Sequence, residues 1–168
     1  MKQLRRVILA AALHTLPPLK RPPRVLEICC GNKSFATQFR KHYPGAEIVT
    51  MDINPRYKPD ITVDIITWDY KKHYPVHHFD IVWASPPCTE YSPAKTSGVR
   101  DLHRADSVAA AALRIIRAAQ PYVWFLENPH TMLFKRDFMT GLEHLRHRCT
   151  YCRYGFCYKK DTDIWTNI

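Results

Sequence analysis

"RVLEICCGNKSFATQFRKHYPGAEIVTMD", residues 24 to 52, decides the fold. Residues 24–29 form a short apolar run, the pattern of a buried strand. A single glycine, Gly31, follows where the chain must turn. "NKSFATQFRKHYPG" then predicts a helix, closed by Pro44 and Gly45. "AEIVTMD" is a second apolar run and ends in an acid, Asp52. Strand, glycine turn, helix and strand make one βαβ unit, and such a crossover requires a parallel sheet.

The same alternation continues downstream. "DITVDI" (60–65) and "FDIVWAS" (79–85) read as a third and a fourth strand. Residues 104–120, "RADSVAAAALRIIRAAQ", predict a long helix stopped by Pro121. "YVWFLENP" (122–129) is a fifth strand, a helix is expected over 136–145, and "CTYCRYGFCYKKDTDIWTN" (149–167) reads as two strands around a turn near Gly155 to Asp161. Upstream, residues 17–24 are a basic, proline-punctuated linker. The opening "MKQLRRVILAAALHTLPP" has the superficial look of a signal peptide, but Leu4, Val7, Ile8 and Ala11 share one helical face. It reads better as an amphipathic helix over 1–16. The expectation is one α/β domain over 1–168: an N-terminal helix at 1–16 and a core at 24–168, with a mostly parallel, doubly wound, seven-stranded sheet ending in a β-hairpin.

At 168 residues, with 46% hydrophobic and 12% aromatic content, the chain can bury a core without staples. Its formal charge of +10 suits a polyanionic partner, and nucleic acid fits best. The six cysteines do not form a disulfide framework, because Cys29 and Cys30 are adjacent and the chain is not small. Free thiols point to a reducing compartment, cytoplasmic or nuclear. No apolar run has membrane-spanning length. His144, His147, Cys149, Cys152 and Cys157 cluster near the end, but their spacing matches no common zinc site, so no metal is expected.

Three constellations carry chemistry. Asp52 follows Gly31 by 21 positions, close to the roughly 20 at which an acid meets a ribose diol beyond a glycine turn. With one glycine instead of three, the turn suits S-adenosylmethionine better than a dinucleotide, because there is no pyrophosphate to cradle. "ASPPC" (84–88) ends the fourth strand with two prolines and presents Cys88 on stiff backbone at the strand's carboxyl edge. There it is either a nucleophile or a small buried residue. "FLENP" (125–129) ends an otherwise apolar strand with Glu127, where a carboxyl is costly unless it is used or paired.

Taken in order, strand–glycine–acid, PPC and ENP resemble the cytosine-C5 DNA methyltransferases. "DINPRYKPDITVDI", "FDIVWASPPCTEYS" and "YCRYGFCYKKDTDIWTN" look like the small members found in phages and large DNA viruses, and the resemblance covers about residues 24–168. It implies a Rossmann-like class I S-adenosylmethionine-dependent methyltransferase. Cys88 would attack C6 of cytosine, and Glu127 would contact N3. The resemblance assigns Glu27, Cys29, Gly31, Phe35, Asp52, Ile53, Asp64, Ile65 and Ser85 to the cofactor. Pro87, Thr89, Ser92, Asn128 and Lys160 would serve the substrate. The chain departs from the family at "EICCGNKSF", which has one glycine, and at "FCYKKDT", where Lys160 stands in place of a Gln-x-Arg-x-Arg element. No target-recognition domain is expected within residues 1–168, and the helix near the amino terminus is expected to take the place of the family's last helix. The implied partner is DNA more than RNA. Two alternatives stay open: an RNA cytosine methyltransferase, and a nucleic-acid-binding subunit that depends on a second chain for target recognition.

Overall fold

The computed structural model of the chain describes residues 10–150 and 160–168. Seven strands form one sheet: β1 (Arg24–Ile28), β2 (Glu47–Asp52), β3 (Ile61–Thr62), β4 (Ile81–Ala84), β5 (Val123–Pro129), β6 (Arg146–Thr150) and β7 (Asp161–Thr166). Their order is β3-β2-β1-β4-β5-β7-β6. The pairs from β3 to β5 are parallel, while β7 runs antiparallel to both β5 and β6. The chain moves outward from β1 to β3 and then returns to β4 on the other side of β1. This reversal opens a crevice at the carboxyl ends of β1 and β4.

Both faces of the sheet are covered, and successive strand residues alternate between them. On one face, Val25, Ile48, Ile81, Trp83, Val123 and Phe125 pack with Phe35, Ala36 and Phe39 of helix α2 (Ser34–His42) and with Ala12. Ala12 lies in the helical segment α1, described over 10–15. On the other face, Leu26, Ile28, Met51, Val82, Ala84 and Leu126 meet helix α3 (Leu102–Ala119). Ala109, Ala112 and Ala119 are fully buried, and side chains this small let α3 lie close against the sheet.

Several expectations change. The third strand shortens to Ile61–Thr62, and the long helix begins at Leu102. The helix expected over 136–145 is instead short 3-10 turns, at Asp137–Met139 and Glu143–Leu145, preceded by another at Leu133–Lys135. Gly141, at φ +85°, breaks any helical run there. β6 starts at Arg146 instead of 149, and Asp161, expected in the turn, already belongs to β7. Most of that turn, with Cys152 and Cys157, lies outside the described residues, as do Leu4, Val7 and Ile8. In α1 the buried residue is Ala12, while Ala11 is exposed. No helix among the described residues is long and apolar enough to cross a membrane.

Far from the crevice, Asp80 is fully buried at the amino-terminal edge of β4. Arg21 grips it with two bonds of 2.7 and 3.0 Å, and the Arg24 N–H adds a third at 2.7 Å. That clasp fastens the linker to the sheet at the end opposite the crevice.

Candidate active site

The turn after β1 forms one wall. Cys29 has φ +54° and Gly31 has φ +47°, so two of three successive residues are left-handed. Gly31 adopts this freely, while Cys29 does so at a cost of order 1 kcal/mol. What holds the turn is Asp52 at the end of β2. Its Oδ2 accepts from the Gly31 N–H at 2.9 Å, and its Oδ1 accepts from the Asn54 N–H at 2.9 Å. Asp52 thus fixes the turn and keeps further lone pairs for a ligand.

The second wall comes from the segment after β3 and from the start of α3. Asp64 accepts from the Ile66 N–H at 3.0 Å and from Arg104 at 2.7 Å. The Ile66 amide and the Arg104 guanidinium hold its carboxyl below the usual range, against a smaller upward push from burial. Asp101 caps α3 by accepting from the Arg104 N–H at 2.9 Å. Its own N–H donates to Glu90, which also pairs with Lys95 at 2.6 Å.

These walls enclose a pocket of about 450 Å³, within the usual range for small-molecule sites. Cys29, Asp52, Ile53, Asp64, Ile65, Pro87 and Thr89 line it, all of them expected at cofactor or substrate. Val63, Glu90, Asp101, Arg104, Ala105 and Val108 line it too and were not anticipated. Asp101 had a readable signal, an acid just before a helical run. Arg104 reaches the pocket only through the return of α3 across the sheet, while Glu90 lies beside Thr89 in the loop after β4. Four carboxylates with one guanidinium suit a ligand that carries a positive centre and hydroxyls. Ile53, Val63, Ile65 and Val108 give apolar walls for a flat ring. S-adenosylmethionine fits this donor set.

Beside the pocket lies the loop after β4. Ser85 extends the pairing to β1 through its N–H to the Ile28 carbonyl at 3.1 Å, and its hydroxyl accepts from Trp83 Nε1 at 2.7 Å. Pro86 and Pro87 end the strand, and Cys88 opens a turn in which the Tyr91 N–H donates to the Cys88 carbonyl at 3.1 Å. The Ser92 N–H donates to the Thr89 carbonyl at 3.3 Å. Cys88 is half-buried and sits between two residues of the pocket wall, Pro87 and Thr89. Across from it, near the end of β5, stand Glu127 and Asn128. The Asn128 Nδ2 donates to the Pro86 carbonyl at 2.9 Å in a fully buried bond. PPC and ENP therefore meet directly. Just beyond, the buried Asp163 of β7 holds His130 Nδ1 at 2.8 Å.

Not every expected residue reaches the pocket. Glu27 is 3% exposed and accepts from the Phe35 and Ala36 N–H groups at 3.3 and 3.1 Å, so it serves the amino terminus of α2. Phe35 is fully buried and stacks on Trp83 at 4.4 Å. Both lie in the core, away from the pocket lining. Gly31, Ser85 and Ser92 are also outside its lining, and Lys160 is half-buried just before β7. Three other thiols among the described residues are muted. Burial, then the Asp52 carboxylate, pushes Cys29 up to about 12. Burial, then Glu27, takes Cys30 to about 11, and burial, then Glu127, does the same for Cys149.

Comparison with known proteins agrees with this arrangement. The family model of the C-5 cytosine-specific DNA methylase matches residues 31–158. A frog virus 3 (isolate Goorha) protein named "Probable DNA (cytosine-5)-methyltransferase" is 30% identical over 157 residues, covering 86% of this chain and 71% of its own length. Among solved structures, one described as a prophage-encoded DNA modification methyltransferase (E. coli) superposes with a TM-score of 0.59 at 12% identity, over 86% of this chain. The CurJ carbon methyltransferase gives 0.53 at 16% identity, over 84%. The chain spans 46% and 38% of those two structures, respectively, and the likeness fixes a class I methyltransferase fold. With the sheet order, the pocket and the PPC and ENP strand ends in place, the chain belongs to the C-5 cytosine-specific DNA methylase family.

Proposed function

We propose that this chain methylates C5 of cytosine in DNA through a covalent bond between Cys88 and C6 of the base. The observation that carries this reading is the buried Asn128–Pro86 bond of 2.9 Å, which joins the Cys88 turn to the Glu127 strand end beside the pocket. A thiol and a carboxyl held on adjoining strands are the two groups that cytosine activation needs.

C5 of cytosine is a poor nucleophile. The Cys88 thiolate adds to C6, forming a C–S bond and pushing electrons toward N3. Glu127 donates a proton or hydrogen bond at N3, which leaves C5 enamine-like. S-adenosylmethionine, when bound, would supply an electrophilic methyl group to that carbon and leave as S-adenosylhomocysteine. Afterwards the C5 proton leaves, the C–S bond breaks, and Cys88 is released as thiolate. Asp52 would hold the ribose of the cofactor while fixing the Gly31 turn, and Asp64 would serve its adenine edge. Asn128 Oδ1 is buried without a protein hydrogen bond among the described residues, which suits an acceptor for a substrate donor. The target atom is hidden in a stacked duplex, so the base must be flipped out or single-stranded.

Labelled S-adenosylmethionine, incubated with the chain and either DNA or RNA, tests this by nucleoside analysis. The expected product is 5-methyldeoxycytidine. DNA containing 5-fluorocytosine should trap a covalent adduct, because fluorine cannot leave as a proton, and Cys88→Ser should abolish it. Label only in RNA would make the substrate RNA. Activity appearing only after a second protein is added would favour the partner-dependent subunit.

A further inference from the structure

We infer that Asp106 is a positioning residue that sets Cys88 against Glu127, through hydrogen bonds to Tyr91 on one side and Arg136 on the other. The inference rests on the reading of Cys88 as nucleophile and adds residues to which the resemblance assigns no role.

Tyr91 lies three residues after Cys88, and its N–H closes the turn on the Cys88 carbonyl at 3.1 Å. Its ring is fully buried, so the turn cannot move without it. Its hydroxyl donates to Asp106 Oδ1 at 2.9 Å. Asp106 stands on α3, one residue past Ala105 of the pocket wall, and does not itself line the pocket. Arg136 binds the same carboxylate in a fork, with Nε at 3.1 and 3.0 Å and Nη2 at 2.7 Å. Arg136 belongs to the segment that follows β5, the strand that carries Glu127 and Asn128.

One carboxylate therefore receives both catalytic segments on a rigid helix. The Asn128–Pro86 bond joins these segments at their base, and Asp106 is a second strut farther along each. Two attachments fix an angle where one leaves a hinge. Attack at C6 tolerates little misplacement, since an error of about 1 Å can cost on the order of a hundredfold in rate. A forked guanidinium–carboxylate pair has the stiffness for this, and a lysine in place of Arg136 would not reproduce it.

The test compares wild type with Tyr91→Phe, Arg136→Gln, Arg136→Lys and Tyr91→Phe/Arg136→Gln. Three quantities are measured: the rate of adduct formation on 5-fluorocytosine DNA, S-adenosylmethionine affinity by calorimetry, and melting temperature. Each single variant should slow adduct formation about tenfold, with cofactor affinity held within about twofold. In steady state, kcat should fall while the KM for DNA stays. The double variant should be less than additive, since either change frees the same turn. Asp106→Asn, which keeps an acceptor for Tyr91, should resemble the Arg136 variants. Unchanged adduct rates, or rates that fall only with the folded fraction, would overturn the inference while leaving Cys88 as nucleophile. A wild-type chain that forms no adduct would overturn the underlying reading and this inference with it.

Discussion

Asn128 and Pro86 are joined across neighbouring strands by a buried amide–carbonyl bond of 2.9 Å. Asn128→Ala would leave the Pro86 carbonyl buried without that donor, a loss of about 1–3 kcal/mol. Thermal unfolding should register it as a drop of several degrees. The larger effect is expected on adduct formation, because the Cys88 turn loses its anchor to β5. Normal trapping by a well-folded Asn128→Ala would show that the bond serves stability alone.

Asp52→Ala should weaken S-adenosylmethionine binding at least tenfold. Two backbone amides, at Gly31 and Asn54, lose a charged acceptor, and each such bond contributes roughly 1.5–3 kcal/mol. Asp52→Asn keeps one acceptor oxygen and should recover part of the affinity. Calorimetry showing unchanged binding for Asp52→Ala would remove the residue from the site.

Brief alkylation at pH 8 should label Cys88 ahead of Cys29, Cys30 and Cys149. A raised thiol pKa keeps the sulfur protonated. With values of about 12, 11 and 11, only about one in a thousand of these thiols, or fewer, is ionised at pH 8. Their labelling should rise only as the pH climbs toward those values. Peptide mapping by mass spectrometry reads the order, and equal labelling at pH 8 would contradict the burial described here.

Arg21→Ala should destabilise the fold while sparing the chemistry. It strips two bonds from a carboxylate that is fully buried at the edge of the sheet opposite the pocket. Removing one partner of a buried pair costs about 3–5 kcal/mol. The low end of that range applies, because the Arg21 side chain is 34% exposed and water screens part of the pairing. Denaturant midpoints should fall while cofactor affinity well below the transition stays constant.

DNA binding by the chain should fall steeply with added salt. A formal charge of +10 favours contacts with phosphates, which release counterions, and such contacts position a protein without reading sequence. Tight binding to one short sequence, insensitive to salt, would mean that base recognition is built into the loops.

The parallel part of the sheet is legible because its strands are short apolar runs closed by glycine, acid or proline. PPC and ENP could be put at strand ends for the same reason. What local sequence does not carry is the return of the chain in space. Residues 136–145 carry a helical pattern, yet Arg136 is drawn to Asp106 on α3 and Gly141 turns left-handed, so tertiary bonds override the local pattern. Glu27 shows the same limit. The resemblance assigns this acid to the cofactor, while its carboxylate accepts from the amides of Phe35 and Ala36. Arg104 reaches Asp64 across 40 positions of chain, and no spacing rule announces such a pair.

The left-handed backbone of Cys29 has a consequence for which mutations the chain can accept. At most sites glycine is among the poorer replacements, but here it should be among the best, since it takes φ +54° without strain. Asparagine should follow, while valine, isoleucine and threonine should be nearly forbidden. A library covering every residue at position 29, sorted for folded protein, should show this inverted ranking. Cysteine would then be retained there as a tolerated occupant of a glycine-shaped place, and a neutral drift to glycine should leave a firmer turn.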